Sequence, residues 1–370
     1  MAVRLENTEA CKARLTLALL KGIPRARLIE LIKMAGSPEG LFSTELERIS
    51  KSLSPDEMSA LVQGHTRDLD EQLVFAGLTE SNIVAWTDEE YPSLLRHIEY
   101  APPVIFFRGD VRVASGPAVA IVGSRRCSPS GKYVAEKLAR DIAARGFVVV
   151  SGLARGIDSA AHRGALAVGG STIAVLGCGV DVCYPPENKR LLKDILESGA
   201  VVSEFVFGTP PLKQNFPLRN RLISGISEAL VVVEAGEASG ALVTVAYALA
   251  QGREVFVVPG DTTLASTIGS NRLLKEGARP ITGAEDILDE LVPRFGDRLQ
   301  PVSQGQVMAE TLSGEEQTVL SCLSCVPTHV DQVCDELGRK APTVLSLLLS
   351  LELKGFVKQA PGNRFVRSTL

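Results

Sequence analysis

The chain has 370 residues, 45% of them hydrophobic and 22% charged, with a formal net charge of −4. That length implies two or three domains, and the composition is that of a folded soluble protein rather than a disordered one. A mildly acidic chain excludes a global basic field for nucleic acid, so any such site must be a local patch.

The apolar run at residues 15–20 ends at Lys21 without a small-residue cleavage site and reads as a helix, not as a signal peptide. The apolar stretch at residues 238–252 is too short and too glycine-interrupted to span a bilayer. The seven cysteines are therefore expected as reduced thiols in the cytoplasm.

Residues 1–100 carry helical periodicity, in Leu15, Leu19 and Leu20, then Leu28, Leu31 and Ile32, later Leu69, Leu73 and Val74. They are expected to form a small all-helical domain. Gly22-Ile23-Pro24 separates the first two helices, with Pro24 placed to start the second. This turn reads as an ordinary helix turn, with a helix-hairpin-helix phosphate grip as the alternative.

Residues 101–292 alternate strand and helix. The strand candidates are 119–122, 147–151, 172–176, 201–203, 230–233 and 255–258, each short and rich in Val, Ile or Ala. Runs so poor in polar residues are typical of parallel strands covered on both faces. With helices at 132–145 and 158–168, the expectation is an α/β domain with a Rossmann-like, doubly wound parallel sheet.

A polar linker at 293–312 follows. Residues 313–370 then read as helices at 315–323, 330–337 and 343–354, a strand at 356–359, a turn at Pro361-Gly362-Asn363 and a strand at 364–367. Three helices and a hairpin predict a winged helix. Cys322, Cys325, His329 and Cys334 fall one residue short of a zinc-knuckle spacing and lack its glycine and aromatic. They read as core positions, and neither metal nor cofactor is expected.

A doubly wound sheet binds ligands outside the carboxyl ends of its strands. After the first strand stand Gly123, Ser124, Arg125 and Arg126, in a stretch with no acid between Asp110 and Glu136. Neither a dinucleotide fingerprint nor a Walker loop fits here, which leaves guanidinium forks suited to phosphate. After the second strand, Gly152, Arg155 and Gly156 precede a helix that Asp158 can cap, and the glycines let backbone approach an anion. The segment 215–224 is the richest: Phe216, Arg219, Asn220 and Arg221, with Lys213 just before it, lie in an acid-free stretch from Glu204 to Glu228. An aromatic among cations suits base stacking and backbone contact. Ser239 and Thr244 place hydroxyls at another helix start, and the apolar helix after them requires cover on a second side. His162 reads as a packing or surface residue, since no Ser or Cys partner accompanies it.

Together, and in this order, these segments resemble the DNA-processing protein A family (DprA/Smf). The matching runs are Ala120 to Arg125, Ser151 to Asp158, Tyr184 to Asn188, Phe216 to Ser227 and Gly252 to Gly260, then Gly269-Ser270-Asn271 and Gly277-Ala278. Tyr91-Pro92, Pro102-Pro103 and Leu351 to Gly355 extend the likeness over nearly the whole chain. The resemblance implies a dimeric, non-enzymatic binder of single-stranded DNA that helps displace single-strand-binding protein and loads RecA. It adds Asn188 to the expected strand-binding set. Ala241 stands where many relatives carry a serine, which leaves Ser239 and Thr244 as the hydroxyl candidates. The alternative is a nucleotide-processing enzyme similar to Rossmann-like phosphoribohydrolases, although the loop from Glu234 to Gly240 lacks their P-G-G run. The winged helix balances its acids and bases and has a leucine-dominated third helix, so it reads as a protein-contact or weak DNA module.

Overall fold

Short Val- and Ala-rich runs have no polar face to show water, and the structure buries them on both sides. The computed structural model describes residues 9–43, 46, 49–63, 68–302, 313–323, 328–353, 356–360 and 362–367. They divide into two units, Met1–Val302 and Ser303–Leu370.

The first unit opens with helices α1 (Glu9–Leu19), α2 (Arg25–Ala35), α3 (Pro55–Gln63) and α4 (Asp68–Leu78). The break between α1 and α2 falls at Gly22, whose φ of 90° suits a residue without a Cβ. Strands β1 (Asn82–Ala85), β2 (Val104–Gly109) and β3 (Ala118–Val122) follow. Then come α5 (Pro129–Ala144), β4 (Val148–Ser151), α6 (Ile157–Ala167), β5 (Thr172–Val175), α7 (Lys189–Ser198) and β6 (Ala200–Ser203). Finally α8 (Asn215–Ile226), β7 (Ala229–Val232), α9 (Gly240–Ala250), β8 (Glu254–Val257), α10 (Ile268–Lys275), β9 (Arg279–Pro280) and α11 (Glu285–Phe295) complete it.

The nine strands form one sheet in the order β1-β2-β6-β5-β4-β3-β7-β8-β9. From β6 to β9 every neighbour is parallel, but β2 runs antiparallel to β6, and β1 antiparallel to β2. The doubly wound parallel sheet thus carries an antiparallel pair at this edge that the strand candidates did not include. Residues 110–117 cross from β2 to β3 along the amino ends of the strands between, as Asp110 N donating to Gly199 O and Val148 N to Pro117 O show. A link that stays on one edge of the sheet requires β2 to arrive antiparallel. Strand β1 also corrects the all-helical reading of residues 1–100, because three apolar residues show no period.

Alternate strand residues feed opposite faces. Ala120, Val150, Ile173 and Leu230 pack on one face with Leu222 and Ile223 of α8 and Val245 of α9. On the other face, α5, α6 and α11 cover Val119, Val149 and Val231, while α1, α2 and α7 cover Phe106, Ala174 and Val201. The expected linker is partly structured: Pro293 lies inside α11, Leu299 packs on the α5 core, and Val302 N donates to Ala144 O. Residues 303–312 lie outside the described residues.

The second unit contains α12 (Gly314–Ser321), β10 (Thr328–His329), α13 (Val330–Leu337), α14 (Ala341–Leu353), β11 (Val357–Ala360) and β12 (Arg364–Arg367). Its sheet order is β10-β12-β11, and Val333, Val344, Leu348 and Phe365 fill its core. Ser313 caps α12 in a capping box with Glu316. Cys322 and Cys334 pack beside that core, the His329 ring caps α13, and Cys325 lies outside the described residues.

Candidate nucleic-acid interface

Strands β4, β5 and β6 extend from one side of β3, and β7, β8 and β9 from the other. The β3/β7 boundary is thus the topological switch point, with its crevice beyond the carboxyl ends. Three loops meet there with almost no space between them. Ser124 N donates to Glu234 O at 2.6 Å, and Ile157 N donates to Ser124 O at 3.2 Å. A Cβ on Gly123 would lie 2.6 Å from Ile157 Cγ1, and one on Gly156, whose φ is +77°, would lie 2.3 Å from Ser124 O. The loop after β3 therefore rests directly on the loop after β4, and only glycine fits at both crossings.

That stacking lifts Arg125 and Arg126 to the surface, where both are exposed. Arg126 N donates to Ser124 Oγ at 3.1 Å, which holds the turn. The Arg125 guanidinium lies 5.1 Å from the Phe216 ring centroid, within cation–π reach. Phe216, half-buried, tilts at 39° on Tyr184 with centroids 5.5 Å apart, and a Cβ on Gly177 would lie 2.9 Å from its ring. Arg125, Phe216 and Tyr184 thus form one continuous stack at the rim. Lys213 is exposed just before α8. Tyr184 was missed as a site residue by sequence reasoning; an aromatic beside Pro185 and Pro186 in the loop after β5 was the available signal.

Other expected contacts are committed to the fold. Arg219 is buried, its Nη1 donating to Gly152 O at 2.8 Å and to Val175 O, so it ties the ends of β4 and β5 to α8. A Cβ on Gly152 would collide with this guanidinium. Burial pushes Arg219 down to about 10 and the buried Asp158 carboxyl up, each opposed by the other's charge. Arg221 is 3% exposed and donates to Glu204, which also takes Arg25 Nη2 at 2.6 Å. Asn188 is buried, donating to Leu153 O at 2.8 Å and Ser159 Oγ at 2.9 Å. Asn220 links α8 to Gly240 O, Ser239 caps α9 through Ala241 N, and Thr244 is buried. Arg155 is exposed but paired with Glu187. His162 is buried; Thr172 Oγ1 donates to Val149 O, so His162 Nδ1 carries the proton that bonds Thr172.

One further charge shapes the crevice. The Glu234 carboxylate accepts from Ser128 N at 3.1 Å through each oxygen and from Ser128 Oγ at 2.7 Å, while Ser128 caps α5 through Gly131 N.

A family model described as DNA recombination-mediator protein A matches residues 82–292, and one for the DprA winged helix domain matches residues 306–363. The chain belongs to the DNA recombination-mediator protein A family, DprA/Smf. Protein Smf of Escherichia coli (strain K12) is 40% identical over 285 residues, covering 74% of this chain and 75% of Smf. The X-ray structure of DprA from Streptococcus pneumoniae superposes with a TM-score of 0.65 at 34% identity, covering 75% of this chain and 97% of that one. DNA processing protein A from Helicobacter pylori, solved for its single-stranded DNA binding mode, gives a TM-score of 0.53 at 29% identity, covering 58% and 97%. The whole switch-point rim of this DprA/Smf protein lies within residues 82–292. No helix among the described residues is long and apolar enough to cross a membrane.

Proposed function

We propose that this protein binds single-stranded DNA, in the cytoplasm and without catalysing a reaction, along the rim formed by Ser124, Arg125, Arg126, Lys213 and Phe216. The observation that carries the reading is the Arg125–Phe216–Tyr184 stack beside exposed cations. Guanidinium groups grip phosphate whatever the sequence, and an aromatic face accepts any unpaired base. Gly152, Gly156, Asn188, Arg219, Asn220, Arg221, Ser239 and Thr244 then act from behind, by fixing loops and helix starts. Arg155 joins the rim when its exposed pair with Glu187 opens, at little cost.

The reading extends to a homodimer through the α/β unit. Helix α9 shows Val243 and Leu249 to solvent, and Leu218 of α8 is exposed as well, the apolar cover that a second subunit would supply. In the winged helix, Leu345 and Leu349 of α14 are exposed, which supports protein contact there more than duplex reading. The family resemblance adds delivery of the bound strand to RecA, with single-strand-binding protein as a further partner. Against the phosphoribohydrolase alternative stands Glu234, whose carboxylate is committed to Ser128 rather than free to act as a base.

The test is fluorescence anisotropy with single-stranded and duplex oligonucleotides across a salt series. Single strands are expected to bind more tightly, with log affinity falling linearly in log salt. Equal affinity for duplex would overturn the proposal.

A further inference from the structure

Helix α5 begins at the switch point, where such sheets ordinarily offer free amides and a helix dipole to a nucleotide phosphate. Here that end is filled from within. The Glu234 carboxylate is 2% exposed and holds Ser128 by backbone and hydroxyl. Gly131, in the first turn of α5, faces it so closely that a Cβ would lie 2.3 Å from Glu234 Oε2. A negative group therefore rests on the first turn, over the surface a nucleotide phosphate would need. The same residue's carbonyl takes Ser124 N, so the anion and the arginine-bearing loop are fixed by one residue.

We propose that Glu234 is a specificity-determining residue, a resident anion that excludes free nucleotides and pyrophosphate from the switch-point crevice. It leaves phosphate only the outer track at Arg125 and Arg126, and so the inference rests on reading the rim as a strand-binding site. A mononucleotide brings one compact phosphate group and depends on a helix end to hold it. A polynucleotide spreads its charge over many contacts and stacks its bases, so it loses little by forgoing that helix end. Repelling the small competitor rather than improving the grip on the strand is specificity by exclusion.

Calorimetric titration of inorganic pyrophosphate and of adenosine diphosphate into the full-length wild type, Glu234→Gln and Glu234→Ala tests this. Melting curves check folding, and a labelled single strand gives a separate readout. The wild type is expected to bind neither ligand measurably. Glu234→Ala, which loses bulk and charge, should bind pyrophosphate roughly tenfold or more tightly than the wild type. Glu234→Gln, which keeps the shape without the charge, should fall between. Pyrophosphate binding by the wild type as tight as by Glu234→Ala overturns the proposal, as does a folded Glu234→Ala that gains nothing. Should the alanine variant not fold, an unchanged Glu234→Gln overturns the electrostatic exclusion. A wild type that rejects single strands while the variants gain pyrophosphate binding would remove the strand-binding reading and leave the resident anion standing.

Discussion

The loop after β3 and helix α8 look alike in sequence, two arginines each within a long acid-free stretch, yet they stand in opposite environments. Arg125 and Arg126 reach solvent, because Gly123 and Gly156 let one loop ride on another. Arg219 and Arg221 point inward, the first to the carbonyls of Gly152 and Val175, the second to Glu204. An acid-free stretch thus says nothing about exposure. An arginine's partner is chosen by the fold, and backbone carbonyls, invisible in a charge count, serve as well as carboxylates.

The sharpest way to break this contrast is Arg221→Met. Removing one side of a buried pair should cost about 3 kcal/mol of stability, the lower end of such losses, since Arg25 still faces Glu204. Glu204 Oε1 and Arg221 Nη1 have no hydrogen-bond partner among the described residues, so the pair is incompletely satisfied. The double change Glu204→Leu with Arg221→Met should therefore recover much of the loss in denaturant melts. Arg126→Ala, at the exposed end of the comparison, should move stability by less than about 0.5 kcal/mol. A destabilisation as large as that of Arg221→Met would erase the distinction.

A pH-dependent effect belongs to the buried side alone. Burial first, then the charges of Arg219 and Arg163, push His162 down to about 3 from its ordinary 6.5. Between those values the unfolded chain binds the proton and the folded chain does not. Stability should therefore fall as pH drops from about 6.5 toward 3, by up to about 1.4 kcal/mol per pH unit. His162→Gln should flatten the melting-temperature slope over that window relative to the wild type. An unchanged slope would show that His162 is not held neutral.

What was legible in the sequence follows from range. The six core strands were visible because fully buried parallel strands are written as unbroken apolar runs, and the winged helix because helix periodicity and a hairpin turn are local signals. Strand β1 was hidden by brevity, and β2 by a pairing that depends on where residues 110–117 run. In the site, Gly152 and Gly156 were legible as close-approach glycines, although what approaches them is the Arg219 guanidinium and the Ser124 carbonyl rather than a phosphate. The inward turn of Arg219 was not, since Val175 O lies 44 residues away, at the end of β5. Glu234 likewise gave no sign of reaching Ser128 across 106 residues.

The most direct measurement is the salt dependence of single-strand binding by Arg125→Ala, set beside the wild type and a folded Arg221→Met. Arg125→Ala should bind about tenfold more weakly at moderate salt, with the log–log slope reduced by about one and its melting temperature unchanged. Arg221→Met should keep the wild-type slope. An Arg125→Ala protein that holds single strands as tightly as the wild type would contradict the account.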